Sequence, residues 1–169
     1  MKKVMLACLI VLTACSKPQQ KGLVYFNDFE TMKGWTPVWL SKKIVHSGTF
    51  SNQVDSTHAY GESFKQLFRE ISDNKVVKVK ASFWIYVTPQ AQGKLVVEVK
   101  RPDDSFAFWT CKEFIEIAPK LGQWQQAKAE FTFPDSVIRS ANTIAIYPWN
   151  TSKGTFYVDD IRLEFVLGY

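Results

Sequence analysis

From Leu23 onward, apolar residues recur at every second position rather than every three to four. The clearest run is Val76 to Val87. Val77, Val79, Ala81, Phe83, Ile85 and Val87 fall on one side, and Val76, Lys78, Lys80, Ser82, Trp84 and Tyr86 on the other. Successive side chains of an extended chain point to opposite faces, so this alternation predicts a strand with one buried face. Lys94 to Arg101 sets Leu95, Val97 and Val99 against Val96, Glu98 and Lys100. Trp124 to Phe133 sets Ala127, Ala129, Phe131 and Phe133 against Gln126, Lys128, Glu130 and Thr132. Further extended runs are read at 23–30, 43–46, 51–56, 62–69, 106–117, 143–149 and 155–166. Pro89, Pro102, Pro119, Pro134 and Pro148 fall at or near run ends, where a residue that cannot donate to a ladder belongs. Only 135–139 reads as a helical turn. The pattern predicts an all-β domain of about ten strands, a two-sheet antiparallel β-sandwich of the jelly-roll kind.

The first residues follow a different rule. Met1-Lys2-Lys3 is positive and Val4 to Val11 is continuously apolar. That run is too short to cross a bilayer, which takes about 20 apolar residues, and it reads as a secretion signal. Leu12-Thr13-Ala14-Cys15 resembles the lipobox, in which cleavage precedes the cysteine and the cysteine takes lipid. The alternative is an ordinary signal with a chance cysteine. The expected division is a signal peptide at 1–14, a lipidated Cys15 with a polar tether at 15–22, and the sandwich at 23–169. Ser16 after the cysteine resembles the outer-membrane default of Gram-negative lipoproteins. The absence of an acidic export stretch favours the periplasmic face over the cell surface.

This reading changes the arithmetic of the 169 residues and their net charge of +5. Cleavage would leave 155 residues and, with Lys2 and Lys3 gone, a charge of +3. Cys8 leaves with the signal and Cys15 carries lipid, so Cys111 stands alone and no intrachain disulfide forms. Stability must then come from the core or from a metal. Two histidines, His46 and His58, rule out a three-His metal centre, and three cysteines rule out a Cys₄ zinc site. No G-x-S-x-G, H-E-x-x-H or H-x-H pattern occurs. Pro102-Asp103-Asp104-Ser105 reads as a turn rather than an acid/base pair. A charge of +3 on an exported domain is too small to indicate nucleic acid.

Four short motifs recur in order: Asn27-Asp28-Phe29-Glu30, His46-Ser47-Gly48-Thr49-Phe50-Ser51, Gly122-Gln123-Trp124, and Tyr157-Val158-Asp159-Asp160-Ile161-Arg162-Leu163. Together they resemble the galactose-binding-like jelly rolls, in particular carbohydrate-binding modules of families four, nine and twenty-two. The resemblance implies a non-catalytic, glycan-binding domain with a structural Ca²⁺, held by carbonyls of Asp28 and Ser47 and side chains of Glu30 and Asp159. The residues themselves allow this. By alternation Asp159 shares a face with Ile161, Leu163 and Phe165, and a carboxylate on an apolar face must be paired or metal-bound. An oxygen-only set suits a hard cation. The alternative is that Glu30 and Asp159 satisfy backbone amides or Arg162. Asp160 is expected to face solvent with Arg162.

Sugars stack their C–H faces on aromatic rings, so the candidates for ligand contact are aromatics on the polar side of a strand. These are Trp84, Tyr86, Trp109, Tyr147 and Trp149, with Lys80 on the rim. If their strands neighbour one another in one sheet, they form a single platform. The alternative is that they are packing residues. The loop with Trp35 and Trp39 either covers such a face or lines it, and Trp124 is assigned to packing. Lys75, Lys78, Lys80, Lys94, Lys100 and Arg101 come from two runs expected to join as a hairpin. They are a solvated face, or attract an anionic glycan or envelope surface. The leading expectation is a lipid-anchored module binding a polymeric glycan. The rivals are an envelope-assembly or protein-interaction lipoprotein, and a small glycoside hydrolase or polysaccharide lyase.

Overall fold

The computed structural model describes residues 23–31, 35–36 and 39–168. The signal, Cys15 and the tether lie outside these residues. The described strands are β1 (Leu23–Asn27), β2 (Trp35–Thr36), β3 (Leu40–Ser41), β4 (Ser51–Val54), β5 (Ser63–Leu67), β6 (Val76–Val87), β7 (Gly93–Lys100), β8 (Phe106–Glu113), β9 (Trp124–Thr132), β10 (Thr143–Asn150) and β11 (Phe156–Leu167). Two single-turn helices, α1 (Phe68–Ile71) and α2 (Phe114–Ile117), follow β5 and β8. All the pairings between strands are antiparallel. Sheet A has the order β3-β4-β11-β6-β9, with β1 also paired to β11. Sheet B has the order β2-β5-β10-β7-β8. The molecule is the two-sheet sandwich that the alternation predicts.

The core lies between the inward faces. Val79, Phe83, Ile85, Leu163 and Phe165 of sheet A meet Phe64, Leu95, Val97, Ile144 and Ile146 of sheet B. Side chains of this size contribute about 1.5–3 kcal/mol each when fully buried. Phe64 packs edge-on against Tyr25 at 4.8 Å and tilted against Phe165 at 5.3 Å, tying β5 to β1 and β11.

Three local expectations are corrected. The runs ending at 69 and 117 finish as α1 and α2, because Phe68, Ile71 and Phe114 turn back into the core. Residues 135–139 form turns rather than a helical turn, closed by Val137 N–H to Pro134 O at 3.0 Å and Arg139 N–H to Val137 O at 3.0 Å. Residues 43–46 form no strand.

One buried polar group bridges the sheets. Glu62, just before β5, is 0% exposed. Its Oε1 accepts a bond from Asn27 Nδ2 at 3.0 Å, and its backbone N–H donates to Asn52 Oδ1 at 2.8 Å. Its Oε2 has no hydrogen-bond partner among the described residues. Burial pushes the carboxyl up to about 7, although the Asn27 bond opposes this. The protonated form is therefore the one that the fold favours. Stability from this group is complete below the unfolded value near 4.5, and is lost as pH rises through about 7. Chemical denaturation at pH 5 and pH 8 should show up to about 3 kcal/mol of stability lost through this group at the higher pH. In Glu62→Gln the pH dependence should flatten by that amount. An equal slope in both proteins would contradict the assignment.

Candidate functional site

The outward face of sheet B carries a row of rings. Ile144 and Ile146 of β10 point into the core, so Tyr147 and Trp149 point away from it. On β7 the same logic turns Lys94, Val96 and Glu98 outward. The register then sets Trp149 beside Lys94 and Glu113, Tyr147 beside Val96 and Cys111, and Ala145 beside Glu98 and Trp109. Tyr60 joins this face through an isolated bridge to Trp149. Its ring lies nearly parallel to Trp149, with 18° between planes and 5.8 Å between centroids, and edge-on to Tyr147 at 5.8 Å. That offset makes a broad apolar surface rather than a face-to-face pair.

Two of these rings are open to solvent, Tyr60 at 55% and Trp109 at 44%, as is Phe106 at 59%, which pairs with Lys100 farther along the same face. Beneath them Val96 is fully buried, although it lies outside the core cluster, so its cover comes from its neighbours on this face. Register and strand spacing put the Trp149 and Trp109 Cα atoms about 16 Å apart, across two strands and four residues. A surface that long spans several sugar rings.

Polar groups are held in place among the rings. Tyr147 Oη donates to Glu98 Oε2 at 2.9 Å. Burial and that carboxylate raise the phenol above its ordinary range, so it remains a fixed donor. Lys94 Nζ bonds Glu113 Oε1 at 2.8 Å and sits 5.4 Å from the Trp149 ring centroid. Lys100 Nζ lies 5.2 Å over the Phe106 ring. The face thus combines flat apolar surface with a few positioned donors and acceptors, the usual make-up of a small-ligand site.

The other rings expected in one platform lie elsewhere. Strand β6 is in sheet A, so Trp84, Tyr86 and Lys80 are on the opposite side of the sandwich from Trp109, Tyr147 and Trp149. The expected single platform divides for that reason. Trp84 is stacked against His46 at 3.9 Å and 16° between planes. Tyr86 is edge-on to Trp124 at 5.9 Å and to Tyr157 at 6.3 Å. Lys80 stands in a row with Glu130 and Glu164. The expected lysine hairpin does not form either, because its two runs, β6 and β7, belong to different sheets. Trp39 is 56% exposed and lies against His58 with centroids 3.8 Å apart; the side chain of Trp35 is outside the described residues. Tyr60 and Phe106 went unnoticed in the sequence. Tyr60 has no alternating run around it, and Phe106 sits at the bulge between Val99 and Lys100.

The four family-like motifs meet at one loop. Glu30 Oε1 accepts N–H bonds from Thr49 at 2.7 Å and Phe50 at 2.8 Å. Asp159 Oδ2 accepts from His46 at 3.0 Å and Ser47 at 3.2 Å. Two carboxylates therefore clamp the 46–50 loop over Trp84. The Thr49 and Phe50 amides hold the Glu30 carboxyl below its usual value, whereas burial lifts Asp159 to about 6 despite its bonds. Gly48 is required here on two counts. Its φ is +66°, and a Cβ would stand 2.6 Å from Glu30 Oε1.

Asp159 is not on the core face. Asp160 adopts φ +50° at a bulge between Asp159 and Arg162, which adds one residue and shifts the phase of alternation. Asp159 consequently pairs with Trp84 on the outward side, while Ile161, Leu163 and Phe165 point inward. Asp160 is not simply solvated beside Arg162, since it holds His46 Nδ1 at 2.8 Å and Ser47 Oγ at 3.0 Å. Asp28 Oδ1 accepts the Glu30 N–H at 3.0 Å. Among the described residues no group of three or more His, Cys, Asp or Glu side chains converges. A cation at the clamp would take most of its oxygens from main-chain carbonyls and water.

The architecture is shared with solved carbohydrate-binding domains. The CBM22-1 xylan-binding domain of Paenibacillus barcinonensis Xyn10C superposes with a TM-score of 0.60 at 15% identity, covering 88% of this chain and 97% of that one. The C-terminal family 22 carbohydrate-binding module of Clostridium thermocellum Xyn10B gives 0.59 at 16% identity, covering 88% and 96%. The xylan-binding module CBM15 gives 0.53 at 11% identity, covering 88% and 99%. No protein-family model matches the chain, and no curated protein is similar enough in sequence to match. The fold is that of the jelly-roll carbohydrate-binding modules.

Proposed function

We propose that the chain is a glycan-binding module that holds a polymeric glycan on the outward face of sheet B. The observation that carries this reading is the ring surface of Tyr60, Trp149, Tyr147 and Trp109, with the Tyr147–Glu98 pair and Lys94 set among the rings. Xylan is the first glycan to test, because similarly folded modules are xylan-binding. Rings would meet the sugar C–H faces, and Glu98 and Lys94 would read hydroxyls or a uronate. Affinity for a short oligosaccharide is expected at micromolar to millimolar Kd, about −8 to −4 kcal/mol.

The carboxylates of this face are held by neighbouring side chains: Glu98 Oε2 accepts from Tyr147 and Glu113 Oε1 from Lys94.

The proposal extends to the membrane and to calcium. Lipid on Cys15 would hold many copies on one surface and make weak binding effective through multivalency. Calcium would sit against Glu30 and Asp159 and add to the clamp on the 46–50 loop. An envelope-assembly role would leave the rings of sheet B without a sugar to meet, and no specific observation favours it.

Three measurements check these readings. Calorimetric titration with xylo-oligosaccharides and a wider glycan panel should show binding that falls at least tenfold in Trp149→Ala. In Trp84→Ala it should stay within about twofold while stability drops by about 1–3 kcal/mol. Absence of any glycan ligand would end the reading. Melting with excess chelator should lower Tm if calcium holds the clamp, and an unchanged Tm removes Glu30 and Asp159 as ligands. Radioactive fatty acid should label the chain in cells, and label persisting in Cys15→Ala would refute that attachment site.

A further inference from the structure

The ring surface of sheet B ends beside a cavity with a mostly apolar wall. Trp149, Lys94 and Glu113 form its last complete cross-strand row. Directly beyond that row lie Gly93, Gln92, Phe114 and Ile115, and these four, with Glu113, line a cavity of about 450 Å³. Its remaining wall is apolar: Val87, Pro89, Ala91, Ala118 and Leu121. The cavity opens at the end of the sandwich, where the β6–β7 loop faces α2 and the segment that follows it.

Several features make this a formed site rather than a packing fault. Its size falls in the range of ordinary ligand pockets, about 300–1,000 Å³. Phe114 and Ala118 are buried, and the α2 turn that carries them closes with Ala118 N–H to Phe114 O at 2.7 Å. The opposite wall is pinned by Gly122 N–H to Val87 O at 2.8 Å. Gly93 has no room for a side chain, since a Cβ would stand 2.7 Å from Phe156 Cε1 and 2.8 Å from the Trp149 carbonyl oxygen. The rim exposes large apolar side chains to solvent, with Ile115 at 69% and Leu121 at 46%.

We propose that this cavity receives a flat apolar group, an aryl acyl ester, carried on the glycan that lies across sheet B. The inference rests on the glycan-binding reading above. Continuity decides the occupant: Glu113 belongs both to the last row of the ring surface and to the cavity wall, so a substituent on a sugar seated at Trp149 has only the Lys94–Glu113 pair to pass before the cavity. The Lys94–Glu113 ion pair marks the boundary. It suits the polar ester linkage, while the wall beyond it offers almost nothing to a hydroxyl-rich sugar. Selectivity would then be for a decorated polysaccharide over its bare backbone.

The test compares four probes with the full-length chain in detergent: a xylo-oligosaccharide, the same oligosaccharide bearing one feruloyl ester, methyl ferulate, and laurate. The ester-bearing sugar should bind at least fivefold more tightly than the plain one. Ile115→Asp and Leu121→Asp change exposed rim residues, so they should fold normally, keep the plain affinity and lose the preference. Trp149→Ala should weaken both sugars. Equal affinity for the two sugars in wild type would overturn the inference and leave the glycan reading intact. A preference retained in both rim variants would also overturn it. If neither sugar binds, this inference falls, even where methyl ferulate binds alone, and the glycan reading is decided by the wider panel. Binding of laurate in place of methyl ferulate would assign the cavity to a lipid chain instead and overturn the proposal.

Discussion

Strand β11 and its bulge are the constraint on which the rest of the molecule depends. β11 pairs along its length with β6, with β4 on its first part and with β1 on its second. One strand can serve two neighbours on the same edge because the bulge at Asp159–Arg162 separates the two stretches. The same bulge resets the phase. Val158 faces the core before it and Ile161 after it, so both halves of β11 contribute to one interior. With only Cys111 free among the described cysteines, that interior and these ladders carry the fold.

The bulge also explains why the two acidic motifs belong together. It turns Asp159 outward, where its carboxylate takes the amides of His46 and Ser47. Glu30, arriving from β1, takes those of Thr49 and Phe50. The loop is thereby laid over Trp84, and the outward face of sheet A becomes covered around it. Among the described residues sheet B has no comparable cover over Trp109, Tyr60 and Phe106. The two faces start from similar aromatic content. One loop, held by charge-assisted bonds to its main chain, makes one face structural and leaves the other open.

The open face and the cavity at its end share one boundary residue, Glu113, and one supporting glycine, Gly93. This economy comes from strand ends. Where β7 begins and β8 gives way to α2, the sheet can no longer fill the space between the layers, and the ring surface runs directly into that gap.

Much of this was legible in the chain itself. Alternation in Val79–Val87 and in Lys94–Lys100 correctly assigned which side chains share a face, because side-chain direction in a strand is a local property with a period of two, but an irregularity at the start of β6 puts Val76 rather than Val77 in the core. The motifs around Glu30, Gly48 and Asp159 marked a real meeting point. What alternation cannot carry is which sheet a strand joins, since that depends on partners far away in sequence. Trp84 and Trp149 have the same local pattern and lie on opposite sides of the molecule. Nor can it survive one inserted residue: Asp160, at φ +50°, moved Asp159 from the expected core face to the clamp. The sequence by itself determined most of the strands, the alternation along each uninterrupted stretch and the class of fold. Only the tertiary structure decided which rings stand together and which are covered, because sheet membership and phase are set by long-range pairing.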